Sequence, residues 1–226
     1  MEDSVEYKGY TIEIVQDEDA ENPRTAWDNL CVMVCWHRRY NLGDSESWKA
    51  MDGKHKSQQL SENYSESIDL LYELAGIERG EYQSEHDDED MTSIELFQAI
   101  EAKDTIISPL YLYDHSGITI SMGGFSCPWD SGQVGYIYID KATIVENWGD
   151  TPEAYEKAKK CMEGEVETYD DYLVGSVYGY RILDSEGEDT GESCYGYYGY
   201  DHEKSDLLPQ AKSVIGYLLE NKKETV

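Results

Sequence analysis

Over residues 7–15 apolar and polar side chains alternate, with Tyr10, Ile12 and Ile14 set against Thr11 and Glu13. That period of two predicts a strand with one buried face. Residues 16–29 run through Asp17-Glu18-Asp19 to Asn22-Pro23 and read as an acidic loop. The apolar run at 30–37 then predicts a fully buried strand. Polar residues 41–57, with Gly43 and Gly53, read as a surface loop. Over 60–75 the period changes to that of a helix: Ile68, Leu71, Tyr72 and Ala75 share a face, and Gly76 is placed to end it. Residues 85–90 form a hydrophilic turn, after which Thr92 or Ser93 caps a helix bearing Ile94, Phe97 and Ile100.

The second half begins with three strands, at 106–113, 118–122 and 134–140, separated by Gly and Pro turns. Thr151-Pro152-Glu153 is a cap followed by proline at the first helical position, and it opens a helix to about 161 or beyond. Residues 178–183 and 194–200 flank the turn 184–191 and predict a hairpin. A helix over 205–221, with Val214, Ile215, Leu218 and Leu219 apolar, closes the chain. Strands and helices without strict alternation predict an α+β fold, a mostly antiparallel sheet with flanking helices. The expected division is 1–104 (strands, acidic loops and helices) and 105–226 (sheet, acidic helix, Tyr-rich hairpin and terminal helix), unless the whole is one continuous domain.

Charge changes this picture more than any motif does. The 226 residues hold 48 Asp and Glu against 18 Lys and Arg, a net charge of −30. So acidic a chain is often a disordered solvating tail, but 20 Tyr and 5 Trp argue for a folded body that holds its charges in place. The acids are unevenly spread. Residues 61–104 hold 14 acids and 2 bases, residues 149–206 hold 16 and 5, and the intervening 105–148 only 4 and 1. The quiet middle therefore reads as the central sheet, flanked by elements that show their acids to water. No basic N-terminal stretch precedes an apolar run, and no window approaches 18 apolar residues. A soluble protein of the cytoplasm is the expectation, with no membrane partner. Basic patches are absent, which argues against direct nucleic-acid binding.

Candidate chemistry is sparse. Cys31, Cys35, Cys127, Cys161 and Cys194 are odd in number and scattered, so reduced core thiols are expected, and the spacing with His37, His115 or His202 supports no zinc site. The sharpest catalytic grouping is Cys127 with His115, where Asp114 or Asp130 would orient the imidazole as the base of a cysteine-dependent hydrolase. No nucleophile motif surrounds them, and Pro128 with its glycine neighbours reads more simply as a tight connection, so no enzyme is expected. The acidic turn 184–192 lacks the EF-hand spacing. Phosphate-binding loops and HExxH are missing, and no cofactor or metal is expected.

Three segments, Tyr111-Leu-Tyr-Asp-His-Ser-Gly117, Phe125-Ser-Cys-Pro-Trp-Asp-Ser-Gly-Gln-Val-Gly135 and Gly164-Glu-Val-Glu-Thr-Tyr-Asp-Asp-Tyr-Leu-Val-Gly-Ser-Val-Tyr-Gly179, resemble a family of uncharacterised proteins of phages and other mobile elements. The resemblance implies a mobile-element source, and with it an accessory protein acting against host defences. In charge and size the chain is also similar to the acidic antirestriction and anti-CRISPR proteins that present carboxylates where DNA presents phosphates. That likeness implies a basic nucleic-acid-binding host protein or complex as partner, CRISPR or restriction. A homodimer follows only by analogy with those proteins.

The residues themselves fit such a decoy in three clusters. Carboxylates three or four apart on a helix lie about 5–6 Å apart at Cβ, comparable to neighbouring phosphates. Glu163, Glu167 and Asp170, or Glu167 and Asp171, offer that spacing if the helix continues past Gly164, and Glu165 belongs to the same acidic run. Glu85, Asp87, Asp88, Glu89 and Asp90 are a denser run in a turn. Glu186, Glu188 and Asp189 tip the hairpin, and Tyr197 and Tyr198 stand beside small residues elsewhere on it as amphipathic contacts. The competing explanation is passive, an acidic protein of a salt-loving organism. Lys outnumbers Arg 13 to 5 and large aromatics are plentiful, which weakens it.

Overall fold

The computed structural model describes residues 3–37, 39–44, 60–78 and 91–224. The fold is α+β, with every strand pair antiparallel, but it holds two four-stranded sheets where one central sheet was expected. Each belongs to its own compact unit, one of Met1–Pro23 with Thr168–Val226 and one of Arg24–Glu167.

In the first unit the strand expected at 7–15 is β2 (Tyr10–Gln16), and an unexpected strand, β1 (Asp3–Tyr7), precedes it to form a hairpin. Its two-residue turn places Lys8 at φ 51° and Gly9 at φ 82°, the left-handed pair of a type I′ turn. The turn, Lys8-Gly9, lacks the Asn-Gly or Asp-Gly signature of such hairpins. A C-terminal hairpin, β7 (Val177–Leu183) and β8 (Asp189–Tyr198), pairs with it through β2 and β7, giving the order β1-β2-β7-β8. Tyr10, Ile12, Ile14, Tyr180 and Ile182 turn one face of this sheet to Leu207, Leu208, Ala211 and Ile215 of α6 (Leu207–Glu224).

The second unit is built on β3 (Val32–Cys35), β4 (Ile106–Asp114), β5 (Ile118–Ser121) and β6 (Ser131–Ile139), in the order β3-β6-β4-β5. Because β3 pairs with β6, the chain does not divide at residue 104, and the expected partition into 1–104 and 105–226 is replaced by the two units above. Two helices cover one face: α2 (Leu60–Ala75) and α3 (Ser93–Glu101) pack Leu71, Tyr72, Leu96 and Ile100 against Val34 and Tyr136. Thr92 caps α3 in a full capping box with Glu95. At Gly135 an added Cβ would lie 1.9 Å from the Val34 carbonyl oxygen and 2.9 Å from Cys35 Cα, so a glycine permits the close pairing of β6 with β3.

Two helices were not anticipated. The short α1 (Pro23–Ala26) interrupts the expected acidic loop, and α4 (Lys141–Trp148) starts where the Asp140 carboxylate accepts a hydrogen bond from the Thr143 amide at 2.7 Å. The long helix α5 (Pro152–Val174) does continue past Gly164, and the boundary between the units falls within it. In the second unit α5 buries Ala154, Ala158, Met162 and Val166, a stripe at four-residue spacing, while Glu153, Glu156, Glu163 and Glu167 are exposed.

Candidate functional site

A densely hydrogen-bonded charged group lies buried in the second unit. Arg24, the sole basic residue between Lys8 and Arg38, has a side chain with 0% exposure. Its guanidinium fork meets Asp44 in a bidentate pair, Nε to Oδ1 at 2.7 Å and Nη2 to Oδ2 at 3.0 Å. Nη1 donates to Glu165 Oε2 at 2.6 Å and Nη2 also to the Cys31 carbonyl at 2.7 Å. Both carboxylates are fixed in turn: Asp44 Oδ2 accepts from the Met33 amide, and Glu165 Oε1 from the amides of Leu30 and Cys31. Burial works to lower the Arg24 pKa, but the hydrogen bonds and charges of Asp44 and Glu165 outweigh it, and the value is raised.

This overturns one expected partner contact. Glu165 is not displayed; its side chain is 13% exposed and committed to Arg24. The helical period explains why, since Cys161, Met162, Glu165 and Val166 fall on the buried side of α5. Sequence reading also missed a convergence 130 residues apart. The ligand atoms of Cys31, Cys161 and Glu165 lie within 4.8 Å of one another, a trio with the donor types of a soft-metal site. Its chemistry disfavours a cation: the guanidinium sits on Glu165, whose oxygens already accept several donors, and burial raises the pKa of both thiols. The trio is a hydrogen-bonded core that ties the chain entering β3 to α5.

Within the first unit the acidic residues fall at the two ends of the β7–β8 hairpin. In the first unit, Asp184 Oδ1 accepts from the amides of Glu186 and Glu188 at 2.9 and 3.1 Å, which orders the turn between β7 and β8. Glu186, Glu188 and Asp189 are exposed there, as is Glu192. At the other end of the same strands, Asp17 Oδ2 accepts from the Gly196 amide, the Tyr198 hydroxyl donates to the Glu21 carbonyl, and Asp171 lies beside Gly199. The seven residues of β7 separate these ends by roughly 20 Å. Tyr197 and Tyr198 are half-buried, Tyr197 against the core and tilted on Tyr180 at 5.9 Å. They sit far from the hairpin tip, paired with Tyr178 and Val177. Burial, with Asp17 and Glu21 nearby, pushes the Tyr198 phenol up to about 12. Glu163 and Glu167 are exposed on α5 in the second unit, and Asp170 and Asp171 are half-buried in the first. Glu85, Asp87, Asp88, Glu89 and Asp90 lie outside the described residues.

The catalytic grouping is partly assembled in the second unit. Asp130 Oδ2 is 3.2 Å from His115 Nδ1 and accepts from the Cys127 thiol at 3.7 Å. Asp114, the other candidate orienter, is instead paired with Arg39. Thiol and imidazole thus meet the same carboxylate oxygen, and the thiol's acceptor is that carboxylate rather than the imidazole a nucleophile needs. No family model matches the chain, and comparison with curated proteins and solved structures found no similar protein.

Proposed function

We propose that this protein is an anti-defence decoy, an acidic mimic of DNA that occupies the nucleic-acid-binding surface of a basic host protein within a CRISPR or restriction complex. One observation carries the reading. The β7–β8 turn is held by Asp184, so Glu186, Glu188 and Asp189 are exposed carboxylates on an ordered turn, and none of them enters an ion pair among the described residues. Their unit carries 20 acids against 6 bases, a net of −14. An ordered row of carboxylates has its geometry set before binding, as duplex phosphates do, and a groove of Lys and Arg gains by the same counterion release.

The test is capture of partners from a bacterial lysate on the immobilised protein, repeated with excess duplex DNA and with the variant Glu186→Lys/Glu188→Lys/Asp189→Lys. The expected result is a basic protein bound at low salt, released by DNA and not captured by the variant. A partner that stays bound in excess DNA, or failure to capture any basic protein, refutes the decoy.

Asp130 supplies an observation in favour of a second reading, the cysteine-dependent hydrolase, because it meets both Cys127 and His115. That reading requires an activated thiol, so iodoacetamide must alkylate Cys127 faster than the exposed Cys194. Equal or slower alkylation of Cys127 removes it.

A further inference from the structure

Resting on the decoy reading and naming the partner chemistry it would engage at a different place, we propose that Trp129 and Asp130 form an arginine-docking point. Trp129 is 91% exposed, and it has no ring contact or hydrogen bond among the described residues. An indole so displayed costs the protein solubility and gives no packing in return. Asp130 follows it in the same bend, before β6. Its Oδ2 is used by His115 and Cys127, and its Oδ1 accepts no hydrogen bond among the described residues. A bare indole one residue from a carboxylate oxygen that accepts no hydrogen bond among the described residues suits a guanidinium, which can stack on the ring and donate to the carboxylate.

The same unit already uses this arrangement internally. Arg39 pairs with Asp114, and its guanidinium carbon lies 5.4 Å from the centre of the Tyr40 ring. Lysine fits the pair less well, because a strongly hydrated point charge gains little from a flat ring. The surrounding segment 105–148, with 4 acids and 1 base, adds little general attraction for cations. Discrimination there falls to the ring and its neighbour.

The experiment titrates the full chain with fluorescently labelled nona-arginine and nona-lysine peptides of equal charge, reading anisotropy at fixed salt. Wild type is expected to bind the arginine peptide roughly 3- to 30-fold more tightly than the lysine peptide. Trp129→Leu, which keeps apolar bulk but removes the π face, should bring that ratio close to one with lysine affinity unchanged, and Asp130→Asn should lower it. Circular dichroism checks that these exposed-site variants stay folded. A ratio that Trp129→Leu leaves unchanged, or an equal loss for both peptides, overturns the site. The lysine arm reads charge alone, so failure of the decoy in lysate capture leaves the ratio as a separate result.

Discussion

Replacing Arg24 by Met removes the guanidinium and leaves a chain of similar length in its place. Four hydrogen bonds of 2.6–3.0 Å disappear, and Asp44 and Glu165, whose side chains are only 23% and 13% exposed, lose the guanidinium that both of them pair with. The Cys31 carbonyl also loses its side-chain donor. Were these surface pairs, the loss would be about 0–1 kcal/mol. Burial places them in the other regime, where breaking a pair strands uncompensated charge and costs about 3–5 kcal/mol. With a urea slope of about 2 kcal/mol per M, that lowers the unfolding midpoint by about 1.5–2.5 M. The assay has a built-in reporter, because all five tryptophans (Trp27, Trp36, Trp48, Trp129 and Trp148) lie in Arg24–Glu167 and none in the other unit. Tryptophan emission against urea therefore follows the unit that holds the network. In a double-mutant cycle with Glu165→Gln, the coupling should be about 0.5–3 kcal/mol. A midpoint shift under about 0.5 M for Arg24→Met, or no coupling, would refute the account of Glu165 as a structural carboxylate.

Three further outcomes follow from the packing and the titrations. Gly135→Ala should cost about 1–3 kcal/mol or more on the same tryptophan-monitored urea curve, since the new methyl meets backbone of β3 rather than a movable side chain; an unchanged midpoint would show that β6 and β3 are less closely paired than described. Burial pushes the Cys35 thiol up to about 12, so at pH 8 native protein should be alkylated at Cys194 and not at Cys35. Because that pKa is raised, its contribution to stability is whole below the unfolded thiol's value near 8.5 and declines as pH rises past it, which urea midpoints between pH 7 and pH 10 will read. Glu95 is held below the usual carboxylate range by the Thr92 amide and then by the Thr92 hydroxyl. Its contribution to α3 is therefore present above about pH 4.3 and lost as pH falls through the lower folded value, so the difference between wild type and Glu95→Gln should shrink on acidification through that range.

Local signals in the chain were strong where one element decides its own form. The helix at 60–75 is legible from its apolar period and Gly76, which adopts φ 66° at its end, and Thr92 is legible from the glutamate three residues on. What the chain hides is partnership at a distance. Nothing in residues 3–16 says that their strands will pair with residues 177–183, and so two sheets were read as one. The site shows the same limit. As a letter in an acidic run, Glu165 is indistinguishable from Glu163 and Glu167. Two signals could have separated it: its place among Ala158, Cys161, Met162 and Val166 on one helical face, and the isolation of Arg24 in a stretch that offers no other cation.

The charge balance sharpens what the surface acids mean. With 48 acids and 18 bases, one-to-one pairing leaves 30 acids without a partner in any fold this chain adopts. The fold decides only which ones, and it spends its scarce cations inward or locally. Arg24 takes two carboxylates into a buried network, Lys141 bridges Asp104 and Asp150, and Arg181 answers Glu13 across β7 and β2. The hairpin tip, one β-strand's length from the Tyr198 end, receives none of them, yet its backbone is ordered, because the Asp184 carboxylate accepts from two amides there. A passive solvating surface has no need of an ordered turn, since hydration is indifferent to the spacing of charges, whereas a decoy does, because a groove shaped for phosphates rewards carboxylates only at set positions. Order at an unpaired acidic tip, rather than the total of −30, is thus the feature on which the two explanations part.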